Sequence, residues 1–204
     1  MSKKNEFSTK EAIINATKEV LKQNGNVTIK DIAEAAFVNI AAINYHFGSK
    51  DNLINIVITE LIKELRTKVV KIINEKAVKG NFQELIDSIV DEVFTFAQDN
   101  QGIVSYSFVQ IVNEPSSSNV FVESFLSDEQ FVSLIIESLR LNFPEASYET
   151  LFAKYLVIFS SFVVPFFLNF TIINERSPYK TDAMNAFEQF KDAYIAELKA
   201  ILVP

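Results

Sequence analysis

The chain contains no cysteine, so a disulfide framework, a thiolate metal site and a thiol nucleophile are all excluded. Tryptophan is absent, and His46 is the one histidine, too few for a metal site or a catalytic triad without partners. Four Gly and five Pro in 204 residues leave little from which to build the many tight turns of a β-sandwich or barrel. A Gly-rich phosphate loop and a paired-carboxylate constellation are also missing, and no enzyme, cofactor or metal is expected. The N-terminus, MSKKNEFSTK, lacks the apolar stretch of a secretory signal, and a cytoplasmic protein is expected.

What the chain does hold is apolar and helix-forming. About half of it (49%) is hydrophobic, enough for an all-α fold with a real core. The net charge of −7 argues against a protein that coats nucleic acid without selectivity. Its distribution is uneven: residues 1–53 carry seven Lys against six acids, a net +1, and the remainder carries 12 basic and 20 acidic residues, a net −8. The N-terminal part is therefore the one free to approach a polyanion.

Ser8 and Glu11 have capping-box spacing, and Ile13, Ile14, Val20 and Leu21 recur at helical intervals up to Asn24-Gly25, which predicts a helix over about 9–24. Thr28 opens a short helix, about 28–36, with Asp31 in its first turn. Asn39 is the next cap, with Ile43 and Phe47 one turn apart. Ser49 caps a fourth, long helix striped by Leu53, Val57, Ile58, Leu61, Ile62 and Leu65. Two short helices joined by a tight turn and braced by a first helix have the layout of a helix-turn-helix, whose second helix enters the major groove.

The segment TIKDIAEAAFVNIAAINYHFGSKDNL resembles the DNA-binding signature of the TetR family at Thr28, Ile32, Ala33, Val38, Ile43, His46, Phe47, Ser49, Lys50 and Leu53. The resemblance implies a three-helix DNA-binding head over 1–53 and a larger helical domain over 54–204 that binds an effector and dimerises. It places a recognition helix at about 39–46, with Asn39, Ile40, Ala41, Ala42, Asn44 and Tyr45 toward the groove. The chemistry agrees: Asn can pair with adenine through two bonds, Tyr can reach a phosphate, and Ala methyls can touch thymine methyls. Thr28, Lys30 and Lys50 sit at helix starts where a phosphate is favoured. His46 matches the family's DNA-proximal histidine, as a phosphate contact or a helix terminator. The sequence departs from the family at the turn, where Phe37 replaces the usual Gly, and on the reading face, where Asn39, Ala41-Ala42 and Asn44 replace Ser, Gly-Thr and Tyr. A turn that still needs positive φ would strain Phe37. A helical small-molecule-binding protein without an operative head is the alternative reading.

Beyond residue 80, apolar helices are separated by breaks at Gly80, 99–102, 115–118, Pro144 and 174–178. Sixteen of the nineteen Phe lie beyond residue 53. By resemblance this body holds a largely apolar effector cavity, for which Phe94, Tyr106, Phe108, Gln110, Phe125, Phe162 and Asn169 are candidates. The run 155–173 is nearly long and apolar enough to span a membrane. Ser160, Ser161, Pro165 and Asn169 within it argue against a span, and the resemblance implies burial in a dimer interface instead, formed by helices over about 147–173 and 181–202; Pro165 should kink the first of these. The implied partners are duplex DNA, a second copy of the chain and a small molecule.

Overall fold

The computed structural model describes residues 3–23, 27–78, 81–113, 120–167 and 183–202. Every regular element among them is helical: α1 (Lys3–Gln23), α2 (Ile29–Ala35), α3 (Ile40–Phe47), α4 (Lys50–Lys76), α5 (Phe82–Asp99), α6 (Gln101–Asn113), α7 (Val120–Val122), α8 (Glu129–Arg140), α9 (Tyr148–Phe167) and α10 (Ala183–Leu202). Between α7 and α8 the backbone makes a π-helical turn, Glu123–Ser127. The chain is all-α, with a helix-turn-helix head and a helical C-terminal part.

The first helix corrects the sequence reading. It begins at Lys3, so Ser8 lies inside it and caps nothing. Residues 3–8 contain neither Gly nor Pro, and nothing in them interrupts a ladder that the downstream apolar face already stabilises. The expected stop at Asn24-Gly25 and the breaks at Gly80, 115–118 and 174–178 lie outside the described residues. The break at 99–102 is a single turn residue, Asn100, between α5 and α6.

The chain divides into two compact units. The first takes Met1–Glu64 and Ala97–Val120, and the second Leu65–Phe96 and Phe121–Pro204. In the first, α2 packs on α1 and α3, and α6 also packs on α1. Ile13, Leu21, Ile32, Ile43, Leu53 and Ile54 are fully buried there. Lys18 of α1 reaches Glu60 (3.0 Å) and Glu64 (3.3 Å) of α4. Burial pulls its ammonium down, but the two carboxylates outweigh it and hold the group above the usual lysine range.

In the second unit α8 packs on α9 and on the π-helical turn, and α9 on α10. Leu85, Ile86, Ile136, Leu139, Leu151 and Leu202 form the deepest layer. Asp128 fixes the start of α8: one carboxylate oxygen accepts the Phe131 backbone N–H at 3.0 Å, and the other pairs with the Arg66 guanidinium at 2.8 Å. Those two contacts, the backbone bond foremost, hold its carboxyl below the usual aspartate value of 3.8. The unfolded chain therefore takes up a proton first as pH falls. This stabilisation is complete above about pH 4 and is lost as pH drops through the lower, folded-state value. Asp128→Asn keeps a capping oxygen but cannot titrate. Between pH 5 and pH 3 its melting temperature is expected to fall by less than that of the parent chain. Parallel calorimetric slopes would remove Asp128 from the acid response.

Candidate nucleic-acid interface

Three caps position the head, each formed by the residue type the backbone there requires. The Thr28 hydroxyl accepts the Asp31 N–H at 3.2 Å, while the Asp31 carboxylate accepts the Thr28 N–H at 2.8 Å, a reciprocal capping box. The hydrogen bonds from the Thr28 hydroxyl and N–H hold the Asp31 carboxyl below its ordinary range. Asn39 Oδ1 accepts the Ala42 N–H at 2.7 Å at the start of α3. Ser49 Oγ accepts the Asn52 N–H at 3.1 Å, and Asn52 in turn donates to the Phe47 carbonyl at 2.8 Å. Gly48, at φ 76°, ends α3, so the terminator is this glycine and not His46. His46 is half-buried and lies edge-on to Tyr45, with ring centroids 5.1 Å apart.

Between α2 and α3, Phe37 stands at φ 55°, the one non-glycine residue with positive φ among the described residues. The turn is nonetheless closed as a helix-turn-helix demands: the Phe37 N–H donates to the Glu34 carbonyl at 3.2 Å and the Val38 N–H to the Ala33 carbonyl at 3.0 Å. The Phe37 side chain is 96% exposed and recovers nothing by packing. A left-handed backbone costs a residue with a Cβ about 1–2 kcal/mol. Phe37→Asn, which brings in a residue type that tolerates this region, is therefore expected to stabilise the chain by about 1 kcal/mol. Phe37→Gly should gain less, because glycine loses about 0.5–1 kcal/mol more backbone entropy on folding. Urea denaturation decides the point, and a midpoint for Phe37→Asn at or below the parental one would show that the turn is unstrained.

The turn and caps present α3 with one face in and one face out. Ile43 and Phe47 are buried, whereas Asn39, Ile40, Ala41, Asn44 and Tyr45 are exposed, Tyr45 by 76%. Ala42 is half-buried beside them. The five exposed residues form a neutral surface of one amide pair, one phenol and small apolar groups, suited to base edges rather than to bulk phosphate. The cations flank it. Lys30 is exposed on α2 with Glu34 at 3.7 Å. Lys50 is half-buried, and its ammonium donates to the Val27 carbonyl at 3.3 Å, so it also braces the approach to α2.

The residues expected at an effector site do not all meet. Phe125 and Phe162 line an apolar cavity in the second unit. Phe94 is buried edge-on against Phe162, with centroids 6.2 Å apart, but is not among the lining residues. Tyr106 belongs to the first unit, where its hydroxyl donates to Asp51 of α4 at 3.3 Å. The side chains of Phe108 and Gln110, and Asn169 altogether, lie outside the described residues. Sequence reasoning missed Phe121, Phe131, Tyr155 and Phe159, which share the cavity wall. Tyr155 carried the same signal as Tyr106, a phenol in an apolar helix. Burial, opposed by Arg66, pushes its hydroxyl well above the usual phenol range. No described helix is long and apolar enough to cross a membrane.

Comparison with known proteins bears on the head directly. Residues 13–57 match the family model for bacterial regulatory proteins of the tetR family. A probable HTH-type transcriptional regulator of Bacillus subtilis (strain 168), YttP, is 23% identical over 133 residues, and the match spans 64% of this chain and 64% of that protein. Among solved structures, the TetR family repressor AlkX of Dietzia sp. has a TM-score of 0.48 at 12% identity, covering 91% of this chain and 94% of its own. NalD, the secondary repressor of the MexAB-OprM multidrug efflux pump in Pseudomonas aeruginosa, has a TM-score of 0.47 at 19% identity, covering 93% and 97%. The match to the tetR family model is confined to the helix-turn-helix segment, residues 13–57, and it is there that the chain is similar to bacterial regulatory proteins of that family.

Proposed function

We propose that this protein is a ligand-responsive transcriptional repressor that binds a near-palindromic DNA operator as a homodimer and is released by a small, largely apolar effector. The observation that carries the reading is the amphipathic α3: a neutral, exposed face of Asn39, Ile40, Ala41, Asn44 and Tyr45 on a scaffold anchored by Ile43 and Phe47. In this reading α3 enters the major groove. Ala42 supports its reading face, while Thr28, Lys30, His46 and Lys50 lie toward the phosphates. The intact α2–α3 turn weighs against a head that has lost its operative shape at Phe37.

The second copy docks on α9 and α10. Each leaves an exposed stripe of small and apolar side chains: Ala153, Leu156 and Val157 on one, and Ala193, Ala200 and Ile201 on the other. Pairing these stripes about a twofold axis would bury them, and a dimer of this kind reads two half-sites in successive major grooves, about 34–36 Å apart. An effector that favours a different spacing of the heads weakens DNA binding by no more than its difference in affinity for the two arrangements. A regulator of this kind works where the chromosome is, in the cytoplasm.

The test is selection of duplexes from a random library by the purified full chain, followed by sequencing and by sedimentation of the complex. Enriched sequences should carry a dyad with half-sites about one helical turn apart, bound by two protomers. Absence of enrichment, or enrichment of sequences without a dyad, would sink the proposal.

A further inference from the structure

The apolar cavity of the second unit has a volume of about 80 Å³, and its wall is almost entirely carbon, contributed by α4, α5, α7, the π-helical turn, α8 and α9. Two polar side chains reach it, and both are committed elsewhere. The Ser138 hydroxyl donates to the Ile135 carbonyl at 2.7 Å, and the Tyr155 hydroxyl to the Phe125 carbonyl at 2.5 Å. The nearby guanidinium of Arg66 is engaged too, stacked 4.7 Å over the Phe131 ring and paired with Asp128. A carboxylate or ammonium brought inside would find no counter-charge on the wall, and burying an unpaired charge is among the costliest events in a protein interior.

Size is the second constraint. An apolar cavity of about 150 Å³ takes one benzene molecule. This cavity is about half that, so a ligand of regulatory size enters only if part of the wall gives way. The wall residues on α4, α5, α8 and α9 sit in regular helices several turns long. Phe125 alone is carried by the five-residue π-helical turn, Glu123–Ser127, a rare geometry that collects at functional positions. Its ring packs among others, tilted against Phe121 at 5.0 Å and Phe159 at 6.0 Å and edge-on to Phe131 at 5.6 Å, an aromatic cluster whose place a hydrocarbon of similar bulk can take. Among the described residues, the side-chain bond that fixes the Phe125 backbone from outside its own turn is the bond from Tyr155.

We infer that Phe125 is a displaceable plug: the effector is an uncharged hydrocarbon framework that takes the place of its ring, and the Tyr155–Phe125 hydrogen bond is the latch that opposes this. The inference rests on the reading of this cavity as the effector site. It adds the charge class of the ligand, the residue that moves and the bond that breaks.

A matched pair of fluorescent probes tests it on the full-length protein. N-phenyl-1-naphthylamine is uncharged, and 1-anilinonaphthalene-8-sulfonate has the same rings with one negative charge. The parent chain should bind the uncharged probe saturably and the sulfonate at least 30-fold more weakly. Tyr155→Phe keeps the ring and removes the latch, so it should bind the uncharged probe about 2- to 10-fold more tightly, the fold-change that one net hydrogen bond provides. Phe125→Ala should tighten it as well, and if that variant fails to fold, the nearly isosteric Tyr155→Phe carries the test alone. Equal binding of the sulfonate overturns the charge class. Unchanged or weaker binding by Tyr155→Phe overturns the latch. Binding of neither probe by the parent chain or by Tyr155→Phe overturns the effector-site reading itself, and DNA binding by the same samples separates that result from a misfolded protein.

Discussion

Ile43→Ala is expected to destabilise the chain by about 3 kcal/mol or more and to abolish operator binding without altering a single atom of the exposed α3 face. Ile43 is fully buried at the centre of α3, on the side opposite Asn44 and Tyr45. Truncating a buried Ile to Ala removes its transfer free energy and leaves a cavity, together worth about 2–5 kcal/mol. The two short helices α2 and α3 have little room to close such a gap, because they hold few other fully buried side chains: Ile32 is the sole companion at that depth. Ile43→Val, which removes one methylene, should cost about 0.5–1.5 kcal/mol and leave DNA binding measurable. Urea titration followed by circular dichroism, run beside a gel-shift series, separates the two. If Ile43→Ala unfolded at the parental midpoint, α3 would be anchored elsewhere.

Asn44→Ala should do the converse. Asn44 is exposed, and its backbone carbonyl, which accepts the Gly48 N–H at 2.9 Å, is retained in the variant. Stability is expected to stay within about 0.5 kcal/mol of the parent, as for most surface substitutions. Operator affinity should fall about 10- to 100-fold and discrimination relax at one base pair of each half-site, the effect of losing one two-bonded contact to a base. The slope of affinity against salt should not change, because no charge is removed. Lys30→Ala makes the contrast: it should weaken all sequences alike and flatten that slope by about one unit. Selection from a random library with each variant reads both effects at once. A uniform loss from Asn44→Ala would place the residue on the backbone rather than on a base.

The head was legible in the sequence because its boundaries are set by local chemistry. Thr28, Asn39 and Ser49 each cap the helix they were expected to cap, and Gly48 supplies the positive φ that ends α3. Ser8 misled because a Ser-x-x-Glu spacing also arises within a helix, where neither side chain has an orphan N–H to satisfy. The cavity was less legible. Its wall is assembled from residues far apart in the chain, and which of two similar tyrosines reaches it depends on how whole helices pack. Tyr106 sits on α6, which packs on α1, and Tyr155 on α9, which packs on α8. The π-helical turn has no sequence signature at all, since Glu-Ser-Phe-Leu-Ser suits an ordinary helix equally well.

Phe37 also bears on the order in which this chain organises. A phenylalanine left to itself avoids φ 55°, so the stretch from Thr28 to Phe47 does not encode its own bend. The bend persists because α2 is docked on α1, and because Lys50 and Asn52 of α4 grip the carbonyls of Val27 and Phe47 at either end. Local preference and final shape disagree at this one residue, which makes the helix pair a consequence of long-range assembly and a poor nucleus for it. A synthetic peptide of the two helices alone would be a loose pair of turns, and the angle between them a property acquired only from the rest of the protein.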